Sequence, residues 1–532
     1  MNRVNALLIV FALWCAIFLP GLGSTELKGE EGRRIMPAVT MMEGGSWAVP
    51  HVGGKPFLRK PPLVQWCMAG TMKLFGKNTW AARLPSVLSV LALAVVIIIA
   101  TQGWLITEES LVAAIVMMTQ VATIDKCRLA ELEAVYVSLS GIAIVLWLSA
   151  WAKSESSWKL WLPAMFFNAL AVLAKAPLHL LFFYAIVVAV LMRERNLRTL
   201  LDPAHFAGQL IMAGVIAAWA VPYFREVAAA EVGQVWQRQF VGRVTGAEMD
   251  LKKYLLNIPS GLANHLPWVL FAPLLWARGV NDTMYPRGCS VLVGARNAVV
   301  VCFFALLLIP GVLPRYVQPL VAPFSLILAP VLWNCPRRFR HWWRYAAFGL
   351  TFSMFLCALA GPFVVAAYGR DPGATPIWLS AFGLLLVIGA SLCLMQLRRR
   401  LHETLHLTLW TGIVAAMGMI NMAAVAMPVI KRSDNIRPFA EQIDTSLSGD
   451  RLIAYNLDDY APLLGVLFYL DETQIAYAPE TSDAPKEPAF YLVRGKDRGK
   501  FAKSFNILSE PIATRAEKGE PDSVVVRAVR IK

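Results

Sequence analysis

Charge is what this sequence has least of: Asp, Glu, Lys and Arg together make only 16% of its 532 residues. With 57% hydrophobic residues and a mean hydropathy of +0.54, the chain falls outside the soluble globular class. Its eight cysteines are scattered, mostly within apolar runs, with no CxxC pair and none after Cys393. That spacing indicates neither a zinc cage nor a disulfide framework. No internal repeat or low-complexity segment stands out. Paired interrupted helices of the kind that build transport sites are also missing, and the early acidic residues fall in a loop rather than mid-membrane.

What the chain has is apolar length. About thirteen runs reach the roughly 20 residues that a membrane-spanning helix needs, or come near it. They lie at 6–22, 83–101, 110–124, 134–151, 158–174, 177–192, 206–222, 263–277, 294–313, 317–333, 346–368, 376–397 and 404–427. The first is expected as a retained helix; the competing reading is a secretory signal with Gly21 and Gly23 at a cleavage site. The formal net charge of +15 fits attraction to anionic lipid head groups and an orientation bias, not nucleic acid. Counting from a cytoplasmic N-terminus puts Arg193-Glu194-Arg195, Arg337–Arg340 and Arg398-Arg399-Arg400 inside. The same count puts Ser24–Arg83, Asp125–Glu133, Arg225–Ala263, the Pro314-Arg315-Tyr316 turn and the tail outside. The first and third outer loops are basic too, against the orientation rule, which suggests an anionic partner for them; lipid head groups are the plainer reading for any single residue.

The densest polar stretch is Glu26–Pro62. Within it Ile35, Val39 and Met42 fall on one helical face, expected to lie along the membrane surface. Glu30 and Glu31 would stand at that helix's N-terminus, where the helix dipole favours carboxylates. Pro37 kinks the helix or delays its start to Met36, and Gly44-Gly45 ends it. After Lys431-Arg432-Ser433-Asp434 the composition becomes soluble. Strand-like Arg451–Tyr455, Ala489–Val493 and Ser523–Val529 alternate with helix-like Ile436–Leu447 and Tyr460–Leu470, a small α/β domain without a recognised catalytic motif. The domain expectation is therefore a membrane part at 1–430, with its first outer loop at 23–83, and an extracytoplasmic soluble part at 431–532.

The order of features in the first loop carries a resemblance. Glu30-Glu31-Gly32-Arg33 is followed by Gly45–Pro50, then Lys60-Pro61-Pro62-Leu63 with Trp66, then Phe75-Gly76 and Ala82–Pro85. Thinner matches recur at Arg128–Glu133, Leu173–Pro177, Trp219–Tyr223, Gln239–Arg243, Leu266–Trp268 and Arg315–Pro319. In this the chain resembles the GT-C class of membrane glycosyltransferases, on the branch of the lipid A aminoarabinose transferases and bacterial protein O-mannosyltransferase-like proteins. The resemblance implies a GT-C fold: an all-α polytopic membrane protein with a small C-terminal soluble α/β domain, in the bacterial inner membrane. It implies transfer of a sugar from a polyprenyl-phosphate donor to a lipid or protein acceptor on the outer face.

By that resemblance Glu30 stands where the family has its catalytic Asp, with Glu31 beside it, and a carboxylate there can take the acceptor's proton. Arg33, Lys60, Arg243 and Tyr316 would hold the donor phosphate, where fixed cations stabilise growing negative charge. Arg59, Arg83, Arg128, Glu133, Lys175 and Arg315 form a second rank. Each has a plainer reading. The two glutamates can simply cap a helix, Lys60-Pro61-Pro62 can be an extended linker, Arg128 to Glu133 can be intrahelical ion pairs, and Arg315-Tyr316 can anchor at the interface. His51, His179 and His265 are isolated and read as structural. The chain departs from the family at Glu30, at Arg34 in place of Tyr, and at Arg59 in place of an acid that helps bind metal. The third outer loop has Ala247–Asp250 where a His often stands. No cofactor and no metal site are expected on these grounds. The alternative function is a polyprenyl-phosphate-binding membrane protein or transporter without chemistry.

Overall fold

The computed structural model describes residues 1–244, 251–276, 286–309, 311–335, 345, 349, 402–421, 436–447, 449–457, 460–471, 474–517 and 520–531. The expected spans at 346–368 and 376–397, and the Arg337–Arg340 and Arg398–Arg400 loops, lie outside these residues. The chain forms two compact units. One is helical, built from Met1–Leu22, Arg59–Leu63 and the described residues after Ser86; the other joins Gly23–Leu58 and Val64–Pro85 to the C-terminal tail.

In the helical unit, apolar runs become helices at Arg3–Phe18, Glu133–Ala152, Ser157–Ala174, Leu178–Arg193, Pro203–Glu226, Pro286–Leu307, Val321–Trp333 and Glu403–Asn421. Among the described residues six helices are long and apolar enough to cross a membrane; the run at Pro314–Trp333 counts as one of them and Thr79–Ala100 is another. Glu133–Ala152 is apolar on every side and almost wholly buried, the mark of a helix surrounded by other helices. Close crossings use small residues: a Cβ on Gly294 would come within 2.8 Å of the Val190 backbone.

Two expected spans come out differently. The run at 110–124 divides into Thr107–Met118 and Val121–Lys126. The first of these is about 18 Å long, short of the roughly 30 Å hydrocarbon layer. The chain turns at Gln120, whose extended backbone is fixed by its side chain donating to Ser325 Oγ at 2.7 Å. The run at 263–277 holds a 3-10 segment, Trp268–Trp276. Pro267 and Pro273 supply no N–H there, so a regular α-helix is not propagated. Helices at Leu63–Phe75 and Ala229–Val244 fall within stretches the hydropathy reading leaves as loops.

The other unit has a mixed sheet in the tail. Leu452–Tyr455 runs parallel to Ile475–Ala478 on one side and to Ala489–Arg494 on the other. Glu520–Arg530 then runs antiparallel to Ala489–Arg494, Phe505–Ile507 and Ala513–Glu517. Tyr491, Phe501, Phe505 and Val526 fill one face, with the Phe501 and Phe505 rings stacked 4.2 Å apart. The first-loop helix spans Glu31–Met42, with Pro37 inside it and Gly44 at a φ of 99° just past its end. Its apolar face does not lie on a membrane surface. Ile35, Met36 and Val39 are buried, and the helix packs on Ala461–Tyr469 of the tail.

Glycine makes that approach possible. A Cβ on Gly32 would stand 2.3 Å from the Ala461 carbonyl oxygen and 2.4 Å from the Gly465 nitrogen. Gly32→Ala is therefore expected to destabilise this unit by about 1–3 kcal/mol through overpacking. Thermal unfolding of the full chain checks this, and an unchanged transition would refute the close packing.

Candidate functional site

The first-loop helix presents two adjacent glutamates in different settings. Glu31 is fully buried and meets Arg83 in a two-pronged pair, Nε to Oε1 at 2.7 Å and Nη2 to Oε2 at 2.8 Å. The Lys28 backbone N–H also donates to Oε2, at 2.9 Å. Arg83 spends its other donors on Thr25 Oγ1 at 2.5 Å and the Glu26 carbonyl at 2.9 Å. A buried charge pair of this kind is tolerated only when its remaining hydrogen-bonding capacity is met. The neighbouring segment is tied to the tail: the Leu27 N–H donates to Tyr469 Oη at 3.1 Å and the Ile436 N–H to Glu26 Oε2 at 3.2 Å.

Glu30, one residue earlier, is the N-cap and remains partly exposed. Arg33 Nη2 donates to its Oε1 at 2.6 Å and Arg34 Nη2 to its Oε2 at 3.1 Å. Arg34 also lies over the Phe57 ring, 5.8 Å from its centre, and Phe57 is held by its N–H donating to the Pro50 carbonyl at 2.7 Å. A carboxylate at a helix start, bracketed by two guanidinium groups, results. Past the other end of the helix, Lys77 donates to the Leu470 carbonyl at 3.2 Å. Burial lowers the pKa of its ammonium, against the raising influence of Glu43 and Asp471.

A second cluster lies in the helical unit. Glu133 opens the Glu133–Ala152 helix and Lys175 follows the last turn of Ser157–Ala174. Lys175 Nζ stands 3.0 Å from Glu133 Oε1, with Arg315 Nε 3.8 Å from the same oxygen. The Lys175 ammonium lies 5.2 Å from the ring centres of both Tyr136 and Tyr316. Glu133 and Tyr316 are buried. This arrangement sets two cations beside one carboxylate, with two aromatic rings against the Lys175 ammonium.

Sequence reasoning names Glu133, Lys175, Arg315 and Tyr316 separately, and the structure brings them together. Tyr136 and Phe57 are missed; no motif marks them. Arg34 is noted only as a departure, although its i+4 spacing from Glu30 is a usable signal for pairing. Residues 127–132 join two helices instead of forming one, so the intrahelical reading of Arg128–Glu133 gives way. Arg128 bonds to the Pro20 carbonyl and, at 3.4 Å, to Met419 Sδ. Lys60 is half-buried and Arg59 exposed, both in the helical unit. Arg243 belongs to the Ala229–Val244 helix, but its side chain, like Ala247–Asp250, lies outside the described residues.

The contrast between the two glutamates can be measured. Glu31→Gln or Arg83→Met alone should cost about 3–5 kcal/mol, because each leaves a buried charge without its partner. The double variant should cost less than the sum. Glu30→Gln should cost under about 1 kcal/mol, as for a partly exposed pair. Thermal or denaturant unfolding of the four variants tests this, and additive Glu31 and Arg83 effects would refute the coupling.

Residues 59–221 match the dolichyl-phosphate-mannose-protein mannosyltransferase family. The chain is 26% identical over 337 residues to the undecaprenyl phosphate-alpha-4-amino-4-deoxy-L-arabinose arabinosyl transferase of Erwinia tasmaniensis, covering 60% of this chain and 58% of that protein. It is 25% identical over 344 residues to the corresponding transferase 2 of Pseudomonas fluorescens, covering 62% and 60%. The matches thus span about three-fifths of those relatives' length. The crystal structure of ArnT from Cupriavidus metallidurans bound to undecaprenyl phosphate superposes with a TM-score of 0.72 at 16% identity, covering 98% of this chain and 97% of that one. That likeness establishes the fold. The chain is thus similar in sequence to the aminoarabinose transferases and, over residues 59–221, to the protein mannosyltransferases, and it has the GT-C fold.

Proposed function

We propose that the protein is an integral membrane glycosyltransferase that moves a sugar from a polyprenyl-phosphate carrier to a lipid or protein hydroxyl. The membrane part, 1–430, would sit in the bacterial inner membrane with residues 431–532 on its outer side. The arginine-rich loops assigned to the inside support this orientation. The observation that carries the reading is the setting of Glu30: a partly exposed carboxylate on a helix start, anchored through the buried Glu31–Arg83 pair beside it.

In the reaction, the acceptor oxygen attacks the anomeric carbon and its proton passes to a Glu30 oxygen. The bond from that carbon to the phosphate oxygen breaks as the new bond forms, so the configuration inverts and polyprenyl phosphate departs. Arg33, Lys60, Arg243 and Tyr316 are the proposed phosphate contacts, because fixed cations and hydroxyl donors lower the barrier where charge accumulates. Arginine can grip phosphate with two parallel bonds, whereas Lys60 acts as a point charge. The Lys175–Glu133–Arg315 cluster adds positive potential beside Tyr316. Glu31, with both oxygens occupied by Arg83, positions Glu30 instead of reacting.

A divalent metal does not fit this donor set. Position 59 is Arg, and among the described residues no three His, Cys, Asp or Glu side chains cluster. No step is therefore assigned to one.

Purified protein supplied with undecaprenyl-phosphate sugars, the aminoarabinose donor named for the relatives among them, should transfer sugar to a lipid A or protein acceptor. Glu30→Gln should lower kcat by about 10²–10⁴-fold and still bind undecaprenyl phosphate. Lys60→Ala should instead weaken that binding. Full activity of Glu30→Gln would remove it as the base, and undecaprenyl phosphate binding without transfer from any donor would favour a non-catalytic lipid-binding protein.

A further inference from the structure

An apolar hollow in the described helical unit holds none of the residues named as donor-phosphate contacts. It encloses about 690 Å³, within the usual size range of ligand pockets. Val299, Phe303 and Phe304 of the Pro286–Leu307 helix, Val269 and Leu275 of the 3-10 segment, and Phe324 line it. A 3-10 helix is more tightly wound than an α-helix, which leaves room beside Trp268–Trp276. Leu270, Trp276 and Phe304 are exposed, so in a bilayer the hollow opens onto hydrocarbon. Walls of this kind take a hydrocarbon chain, not a polar solute.

One cation stands in the lining. Arg296 is the seventh residue of the Ser290–Leu307 span, and an ionisable side chain inside a span is costly unless it serves a purpose. Its Nη1 donates to the Leu275 carbonyl at 2.8 Å. Nε and Nη2 donate to Asn297 Oδ1 at 3.1 and 3.0 Å. The guanidinium lies 5.2 Å from the centre of the Trp276 ring. Tryptophan with a basic residue is the pairing found where a helix meets the head-group layer. From Arg296 to Leu307 the helix rises about 17 Å, and Arg315 and Tyr316 follow beyond its far end. Arg296 thus stands nearer the Ser290 end of the span, and Tyr316 lies past its Leu307 end.

We propose that this hollow binds one acyl chain of an anionic phospholipid, whose phosphate docks on Arg296 beside Trp276. Charge complementarity selects the occupant. A basic pocket between membrane helices attracts an acidic head group, whereas a zwitterionic lipid gains little net Coulomb energy there. Arg296 is none of the donor-phosphate contacts named above, although the lining reaches Leu320, in the segment that carries Tyr316.

The full-length protein would be reconstituted in nanodiscs of phosphatidylcholine containing a minority of phosphatidylglycerol, then released for native mass spectrometry of the retained lipid. The wild type should retain phosphatidylglycerol in preference to phosphatidylcholine. Arg296→Gln should reduce that preference about five-fold, the worth of one basic residue near the surface, and Arg296→Lys should keep most of it. Val300 also lines the hollow, so Val300→Trp fills it without changing charge and should release the bound lipid. Undecaprenyl phosphate binding, measured separately, should be unaltered in all three, so failure here and failure of the transferase reading are distinguishable. Unchanged phosphatidylglycerol retention in Arg296→Gln or Val300→Trp overturns the proposal. So does one-for-one displacement by undecaprenyl phosphate, which would assign the hollow to the polyprenyl chain. If Arg296→Gln fails to fold, Arg296→Lys and Val300→Trp decide the matter between them.

Discussion

The buried pair between Glu31 and Arg83 is the constraint on which the first loop depends. Arg83 bonds to Thr25, Glu26 and Glu31 at once, so one guanidinium fixes the start of the loop, the first turn of its helix and the segment that follows. Taking two charges out of water costs several kcal/mol each, and their attraction offsets this only with good geometry. The geometry is good, with both carboxylate oxygens engaged. The result is a fixed first turn directly beside Glu30.

The charge pattern of the two clusters follows one rule. Glu30 has two guanidinium partners and Glu133 has an ammonium and a guanidinium beside it. Each carboxylate thus has more than one cation beside it. In a low-dielectric setting such pairing limits the cost of burying each charge.

Much of the scaffold was legible because apolar runs and helical spacing are local signals. Glu133–Ala152, Ser157–Ala174 and the tail helix Ile436–Leu447 come out at almost the expected bounds. The short tail strands Ile475–Ala478, Phe505–Ile507 and Ala513–Glu517 do not announce themselves, since each is set by its neighbours in the sheet. Hydropathy also cannot tell a span from a buried helix of twelve residues, which is what Thr107–Met118 is. At the candidate site, a family pattern picks out Glu30 and Glu31 alike. Only the partner of each, Arg83 from 52 positions away or Arg33 from the next turn, separates the buried anchor from the accessible group. The face of Ile35, Val39 and Met42 is read correctly as apolar, but amphipathicity does not say what covers it.

That cover has a consequence for the order of biosynthesis. The Glu26 carboxylate is bonded 410 positions further on, to the Ile436 backbone, and the floor beneath Gly32 is the tail helix Ala461–Tyr469. At ordinary translation rates of about 5–20 residues per second, the first loop leaves the ribosome roughly 20–80 s before the tail does. During that interval its apolar face has no native surface to settle on. A nascent chain of this protein accordingly carries that loop without its packing surface until Ala461–Tyr469 has been made, and a chain that stops before Ala461 lacks the surface on which Glu31–Met42 packs.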